Sequence, residues 1–458
     1  MKVMKLALLG TAALAAVSVS ARADDLADLK SQIEALNSRI SQLEAAPAVP
    51  AGYQLLSVSE APAVVVPTIS SDVGYGANAT TIGILPTADV PASTTIQWSG
   101  YARAGLVHSS TKVSESGFLT TTNGTGTYAA SLSSKDSDTD IYARGQLKVV
   151  GTTDTAVGEV GAWIEFRANL HGVGGGDTDL FINDNAFGWW KMTPELTLIG
   201  GYTDTLANIG YGYDGACNCY YTDNAPVALN PGDTTQLRLA YASGPLSFAI
   251  ALEDGDQEYS NGDATVDVSD SLGVAGKIKY AGDTFSGEIG AGYWGKGKDS
   301  SAFYPQGAVS ATDGDDAWQI GAGLGFSLDP VSLSLAAGAG QDHLGFDYWK
   351  ASALASVNLS DSVHAEIAYG YANSETWVDR SVGFGLVYAG EADAKTHAVL
   401  AGIYYDPVSQ LTIGLEGEWY QTKTGVDPAN DECCGGDLDE YSSKLTSWQV
   451  DLVTVFRF

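Results

Sequence analysis

The sequence predicts an all-β chain: a sixteen-stranded antiparallel transmembrane β-barrel behind a short N-terminal periplasmic coiled-coil helix. Three observations carry that prediction. Fifty-four glycines and 23 tyrosines against three methionines and four cysteines in 458 residues favour many strands and turns over helices. From Thr95 onward, segments of period-2 alternation recur, joined by connections that are short and long in strict turn. The chain closes on "SWQVDLVTVFRF", in which Trp448, Val450, Leu452, Thr454, Phe456 and Phe458 share one face of an extended strand.

The N-terminus "MKVMKLALLGTAALAAVSVSARADD" sets Lys2 and Lys5 before an apolar stretch and the small-x-small triplet Ala21, Arg22, Ala23. Residues 1–23 therefore read as a Sec signal peptide, because the apolar core is too short to span a bilayer. Without them the chain carries 20 basic and 55 acidic residues, a formal charge of −35. That balance repels phosphate and argues against nucleic acid as a partner. No later stretch has the roughly 18 uninterrupted apolar residues of a membrane helix, so a membrane crossing would have to be made by strands.

Residues 24–46 place Leu26, Leu29, Ile33, Leu36, Ile40 and Leu43 at spacings of 3, 4, 3, 4, 3, an a/d seam of a short coiled coil. Ile at a with Leu at d favours two strands in isolated peptides, so the seam does not specify a trimer. Residues 47–94, with Pro47, Pro50, Pro62, Pro67, Pro86 and Pro91 through them, read as an extended linker with short ordered contacts to the next domain.

Residues 95–458 form the barrel domain. The expected strands are 95–108, 139–150, 155–170, 183–193, 195–202, 234–243, 246–254, 271–281, 283–294, 316–328, 330–339, 348–359, 361–371, 395–405, 409–421 and 444–458. Connections after even-numbered strands are tight ("GTTD", "TPE", "SGPL", "AGD", "SLDP", "NLSDS", "DPVSQ"), and those after odd-numbered strands are long and acidic. An up-and-down outer-membrane barrel has this asymmetry, and an even count leaves both ends in the periplasm. A charge facing the bilayer midplane costs about 2–4 kcal/mol. The charged faces must therefore line the lumen, which puts Arg103, Arg144, Lys148, Arg167 and Arg238 inside. The terminal strand closes the barrel on the first and removes the free edge.

The signal peptide, "LKSQIEALNSRISQLEAAPAVPAGYQLL", "TLANIGYGYDGACNCYYTDNAP" and the ending at Phe458 resemble the alphaproteobacterial porin family over nearly the whole mature chain. Thr454 departs from the C-terminal signature of such barrels, which usually has an apolar residue there. The resemblance implies a homotrimeric general diffusion porin, without cofactor, in the Gram-negative outer membrane. It also implies a third loop that folds inward and sets acids, here Asp204, Asp214, Asp223 and Asp233, against the basic wall. Outer-membrane lipid and lipopolysaccharide are expected partners, with a peptidoglycan contact through the coiled coil.

Glu159 and Glu165 share the lumen face with Arg167 and compete for the ladder. Together with outer-loop acids such as Asp427, Asp431, Glu432, Asp437, Asp439 and Glu440, they predict a weak cation preference. Cys217, Cys219, Cys433 and Cys434 in two long loops favour disulfides, with three pairings open and a four-thiolate metal site as the alternative. "KDSDTDI" starts like a calcium loop, but Ile141 and Leu147 stand at its sixth and twelfth places, which rejects an EF-hand. "GAGLGF" at 321–326 lies inside an alternating strand with no helix after it, so it reads as small residues in a packed strand rather than a dinucleotide loop.

Five scattered histidines and no G-x-S-x-G or H-E-x-x-H give no positive case for an enzyme. Two competing readings remain. One is a substrate-selective channel lined by aromatics such as Trp163, Phe187, Trp189, Tyr211, Tyr213, Tyr220 and Tyr221. The other is an envelope tether or adhesin.

Overall fold

The computed structural model describes residues 56–62, 78–84, 94–120, 127–170, 182–214, 225–255, 258–260, 265–267, 272–295, 316–343, 345–381, 386–425 and 440–458. The signal peptide, the coiled-coil seam from Leu26 to Leu43, Asp223, all four cysteines and Asp427, Asp431, Glu432, Asp437 and Asp439 lie outside them.

Two strands, β1 (Leu56–Pro62) and β2 (Asn78–Ile84), precede the barrel. Its sixteen strands begin with β3 (Thr94–Thr120), β4 (Thr127–Thr155), β5 (Gly158–Leu170), β6 (Ile182–Lys191), β7 (Leu196–Asp204), β8 (Asp233–Ser243) and β9 (Leu246–Asp254). A small hairpin, β10 (Glu258–Ser260) with β11 (Thr265–Asp267), stands in the next long connection. The barrel continues through β12 (Leu272–Ala281), β13 (Phe285–Trp294), β14 (Ala317–Leu328), β15 (Val331–Gln341), β16 (Asp347–Ser360), β17 (Val363–Ser381), β18 (Leu386–Val408), β19 (Leu411–Gly425) and β20 (Glu440–Arg457).

Each barrel strand pairs antiparallel with its sequence neighbours. The ring closes where β20 pairs with β3, from Arg457 opposite Tyr101 to Glu440 opposite Phe118. The terminal Phe458 and Gly100 exchange two backbone hydrogen bonds of 3.1 Å each. A side chain at Gly100 would strike the Phe458 ring, so this glycine lets the last residue dock.

Alternation explains the two faces. On β20, Trp448, Val450, Leu452, Phe456 and Phe458 point outward and stay exposed, while Asp451, Val453 and Val455 point inward and are fully buried. From Trp448 to Phe458 the strand rises about 34 Å, which at the usual barrel tilt spans about 26 Å, close to the apolar band of an outer-membrane barrel. Ile320 and Leu324 on β14, Ile403 on β18 and Leu415 on β19 continue the outward apolar surface.

Four strands are much longer than the sequence predicts. β3 and β4 run 27 and 29 residues, and β17 and β18 run 19 and 23. The segments 109–120 and 127–138 read as loop because both faces are polar. They nevertheless pair residue for residue, with Thr111 opposite Asp136 and Ser114 opposite Ser133. Above the membrane no face need be apolar, so the period-2 signal disappears while the ladder continues. Within the segment read as a linker, β1 pairs with β2, and β2 pairs with β3 from Thr94 to Trp98, just beyond the end of β20.

The outward band makes a direct prediction. Leu415→Arg, at a half-exposed outward position on β19, should destabilise the folded barrel by about 2–4 kcal/mol in reversible urea unfolding in lipid. Unchanged stability would mean that this face does not meet lipid.

Candidate functional site

The described parts of the third long connection, residues 205–214 and 225–232, run along the inside of the barrel wall. Its root is fixed at Glu253 on β9, a fully buried carboxylate. Glu253 accepts hydrogen bonds from the Thr205 hydroxyl (2.7 Å), the Leu206 amide (3.0 Å) and Trp294 Nε1 (3.1 Å).

From there the loop is handed from strand to strand. The Gly210 amide donates to Glu288 on β13 (2.8 Å), the Gly212 amide to Ser334 on β15 (2.7 Å) and the Tyr213 amide to Ser352 on β16 (2.9 Å). Tyr213 Oη and the Ala225 amide both donate to Glu418 on β19, at 2.5 and 3.2 Å. In return Lys277, Gln319 and Lys350 donate to the loop carbonyls of Asn208, Ala207 and Ala228. Backbone amides that find no ladder partner inside a barrel need such acceptors.

The wall under the loop is cleared of side chains. A Cβ built on Gly321 would lie 2.7 Å from Ile209, one on Gly323 2.5 Å from Tyr211 and one on Gly338 2.9 Å from Leu229, and one on Gly370 would collide with Val227. The inward glycines of "GAGLGF" are therefore part of the seat of the loop. Ile209, Val227 and Leu229 are buried in it.

Strands β3 to β5, on the other side of the lumen, carry the predicted basic residues. Arg103 and Arg144 are direct cross-strand partners, and Gln146 beside them pairs with Arg167. The three guanidinium groups are close enough to repel one another, and Arg144 also donates to the Tyr101 hydroxyl. Arg103 is buried against the wall, whereas Arg144 and Arg167 are half-buried. Lys148 lies 3.8 Å over the Trp163 ring. Glu165, expected to compete with the ladder, accepts from Gln146, from Trp163 Nε1 (3.0 Å) and from Asn185 (3.5 Å). Glu159 accepts from Trp189 Nε1 at 3.1 Å.

Arg238 stands apart from this group. It is almost fully buried and donates to Gln236 (2.9 Å) and to the Asp204 carbonyl (2.7 Å). Its guanidinium thus ties the loop root to β8. Asp233 pairs across the ladder with Asp204, and Asp214 lies within electrostatic reach of Lys350 on β16.

Of the aromatics weighed for solute binding, Phe187 and Trp189 are buried in an apolar cluster with Ile199 and Leu206. Tyr213, part of the loop itself, is buried between the loop and the wall. Sequence reasoning missed the loop's acceptors, Glu253, Glu288 and Glu418, and the inward acids Glu416 and Asp451, both fully buried. Their inward phase was readable, since each alternates with outward apolar neighbours such as Leu252, Ile289, Leu415 and Leu452. What lacked a signal was the partner each one meets.

Two variants test the seat. Glu418→Ala removes the shared acceptor of Tyr213 and Ala225, and each donor left buried costs about 1–3 kcal/mol. Its loop should loosen, giving larger and noisier single-channel steps than wild type. Gly321→Leu should displace Ile209 toward the opposite wall and reduce the step size. Wild-type conductance in both variants would show that the loop does not set the bore.

No protein-family model matches the chain, and no curated protein matches it. Among solved structures the chain is similar to the outer membrane channel DcaP of Acinetobacter baumannii, at 14% identity, TM-score 0.49, 82% of this chain and 99% of that one. It is similar to the anion-selective porin from Comamonas acidovorans at 13% identity, TM-score 0.49, 80% of this chain and all of that one. OmpF of Salmonella typhi, in complex with daunomycin, stands at 14% identity, TM-score 0.49, 80% of this chain and 98% of that one.

Proposed function

We propose that the chain is an outer-membrane porin, a water-filled channel for passive diffusion of small hydrophilic solutes and ions. The observation that carries this reading is the asymmetric lumen. The described part of the inward loop covers the wall of β9 to β19, and the clustered guanidinium groups of β3 to β5 stand on wall that this part does not cover. Selection in such a channel comes from bore and from the field across it. The finer reading is a homotrimer of the alphaproteobacterial porin kind, exported by residues 1–23, with the coiled coil in the periplasm.

Planar-bilayer recording of the purified protein tests it. Large, weakly selective steps arriving in threes are expected, and silence from correctly folded protein overturns the porin reading. The acidic outer loops support a weak cation preference that fades at molar salt as charges are screened. The combined variant Arg103→Gln, Arg144→Gln and Arg167→Gln should move the reversal potential further toward cation selectivity. An unmoved reversal potential would place the basic cluster outside the conduction path.

A further inference from the structure

Where the inward loop returns to β8 it leaves a space beside the wall. A niche of about 470 Å³ lies between the end of the loop at Asn230 and Gly232 and the long-loop ends of β9 and β13 to β17. Sites for small molecules run from about 300 to 1,000 Å³, so the niche has the size of a solute site. Its walls are fixed by the same bonds that seat the loop. Gln319 on β14 donates to the loop carbonyls of Ala207 and Leu229 at 2.8 and 3.3 Å and accepts from Tyr348 Oη at 2.8 Å. Trp294 is tied to Glu253, and the amide of Phe346 donates to Asp342 at 3.0 Å. Side chains locked in this way need little ordering when a ligand arrives.

The polar groups of the niche are of opposite kinds. Lys350 can only donate; its ammonium reaches the Ala228 carbonyl at 2.8 Å and lies 5.2 Å from the centroid of the Tyr348 ring. Asp342 can only accept, and it lies within electrostatic reach of Tyr348. Asn230 and Ser374 add an amide and a hydroxyl. Burial pushes the His343 imidazole below its ordinary value, which keeps it uncharged at neutral pH. Asp233, Asp254 and Glu375 border the niche as well. Alternation sets all three on the outward phase, because Thr234, Glu253 and Ser374 next to them are the inward residues. A simple cation would therefore meet Lys350 inside, and a simple anion would meet Asp342. A hydroxyl group both donates and accepts, so it suits each of them. Several hydroxyls on one small ring suit both at once, while the C–H face of the ring packs on Phe346 and Trp294.

We infer that Asn230, Asp342, Phe346, Tyr348, Lys350 and Ser374 form a binding site for a neutral polyhydroxylated ring such as a hexose. The inference rests on the channel reading for access from the mouth, and it adds to passive diffusion a saturable resting place beside the inward loop. Binding itself is measured without conduction.

Saturation-transfer NMR on the full chain, held in a detergent without a sugar headgroup, tests the niche with three probes built on one ring: glucose, protonated glucosamine and glucuronate. Glucose should give a signal that saturates with concentration, and both charged relatives should bind more weakly. Ser374→Trp fills the niche from β17 and should abolish the glucose signal. Asp342→Asn keeps an acceptor for the Phe346 amide and should weaken glucose roughly tenfold, as for the loss of one hydrogen bond to a charged group. Circular dichroism shows whether each variant keeps its strands, and Asp342→Asn decides the case if Ser374→Trp does not fold. The site is overturned by folded wild type without a saturable glucose signal, by tighter binding of either charged relative, or by unchanged glucose binding in a folded variant. Bilayer recording of the same preparation keeps the two readings distinct: a silent protein that binds glucose retains the niche and loses the porin, and a conducting one that does not bind glucose loses the niche alone.

Discussion

The structure depends on closing the backbone hydrogen-bond ladder between β3 and β20. Hydrocarbon offers no partner to an exposed amide or carbonyl, so a sheet in a bilayer is stable only without edges. Here the seam runs from Tyr101 to Phe118, and Gly100 with Phe458 completes it at the lower rim. Once the ring exists its interior is a second solvent, and the remaining features are answers to the question of what fills it. The inward loop is the largest of those answers. It brings unpaired amides into the lumen, and the wall meets them with carboxylates and hydroxyls at Glu253, Glu288, Ser334, Ser352 and Glu418.

Much of the barrel was legible in the sequence because lipid enforces a simple pattern. Wherever a strand crosses the apolar band, every second residue must be apolar, and the sixteen strands were found from that constraint. The pattern failed where the constraint lapses. Above the band, 109–120 and 127–138 are wet on both faces, so nothing in residue order distinguishes a ladder from a loop. The site was less legible still. Alternation placed Arg103, Arg144 and Arg167 on the inner face. It had no means of telling Arg238, buried at the loop root, from a residue on open wall, because that difference is made by a segment more than twenty residues away in sequence. The inward glycines posed the same difficulty: Gly321 and Gly323 read as packing, but what packs on them is visible only in three dimensions.

The charges are sorted by face. On the β3–β4 hairpin, Lys112 and Lys135 share the outward face, while Asp136, Asp138 and Asp140 alternate with them on the inward one. On β18 to β20, lysines crown the outward tryptophans, while Glu416, Glu418 and Asp451 are buried on the inward side. A strongly negative overall charge is thus compatible with a local cationic face, because each strand keeps its two surfaces electrically separate.

The unequal strand lengths have a consequence of their own. With β3 and β4 nearly three times as long as β12 and β13, the strand ladder rises as a parapet along one arc of the barrel. In the proposed channel a diffusing solute would meet that parapet as a screen on one side. Its inner surface carries the carboxylates of Asp136 and Asp138, so in such a channel charge would act on the solute well above the bilayer. The electrical length of the path would then differ from the thickness of the membrane.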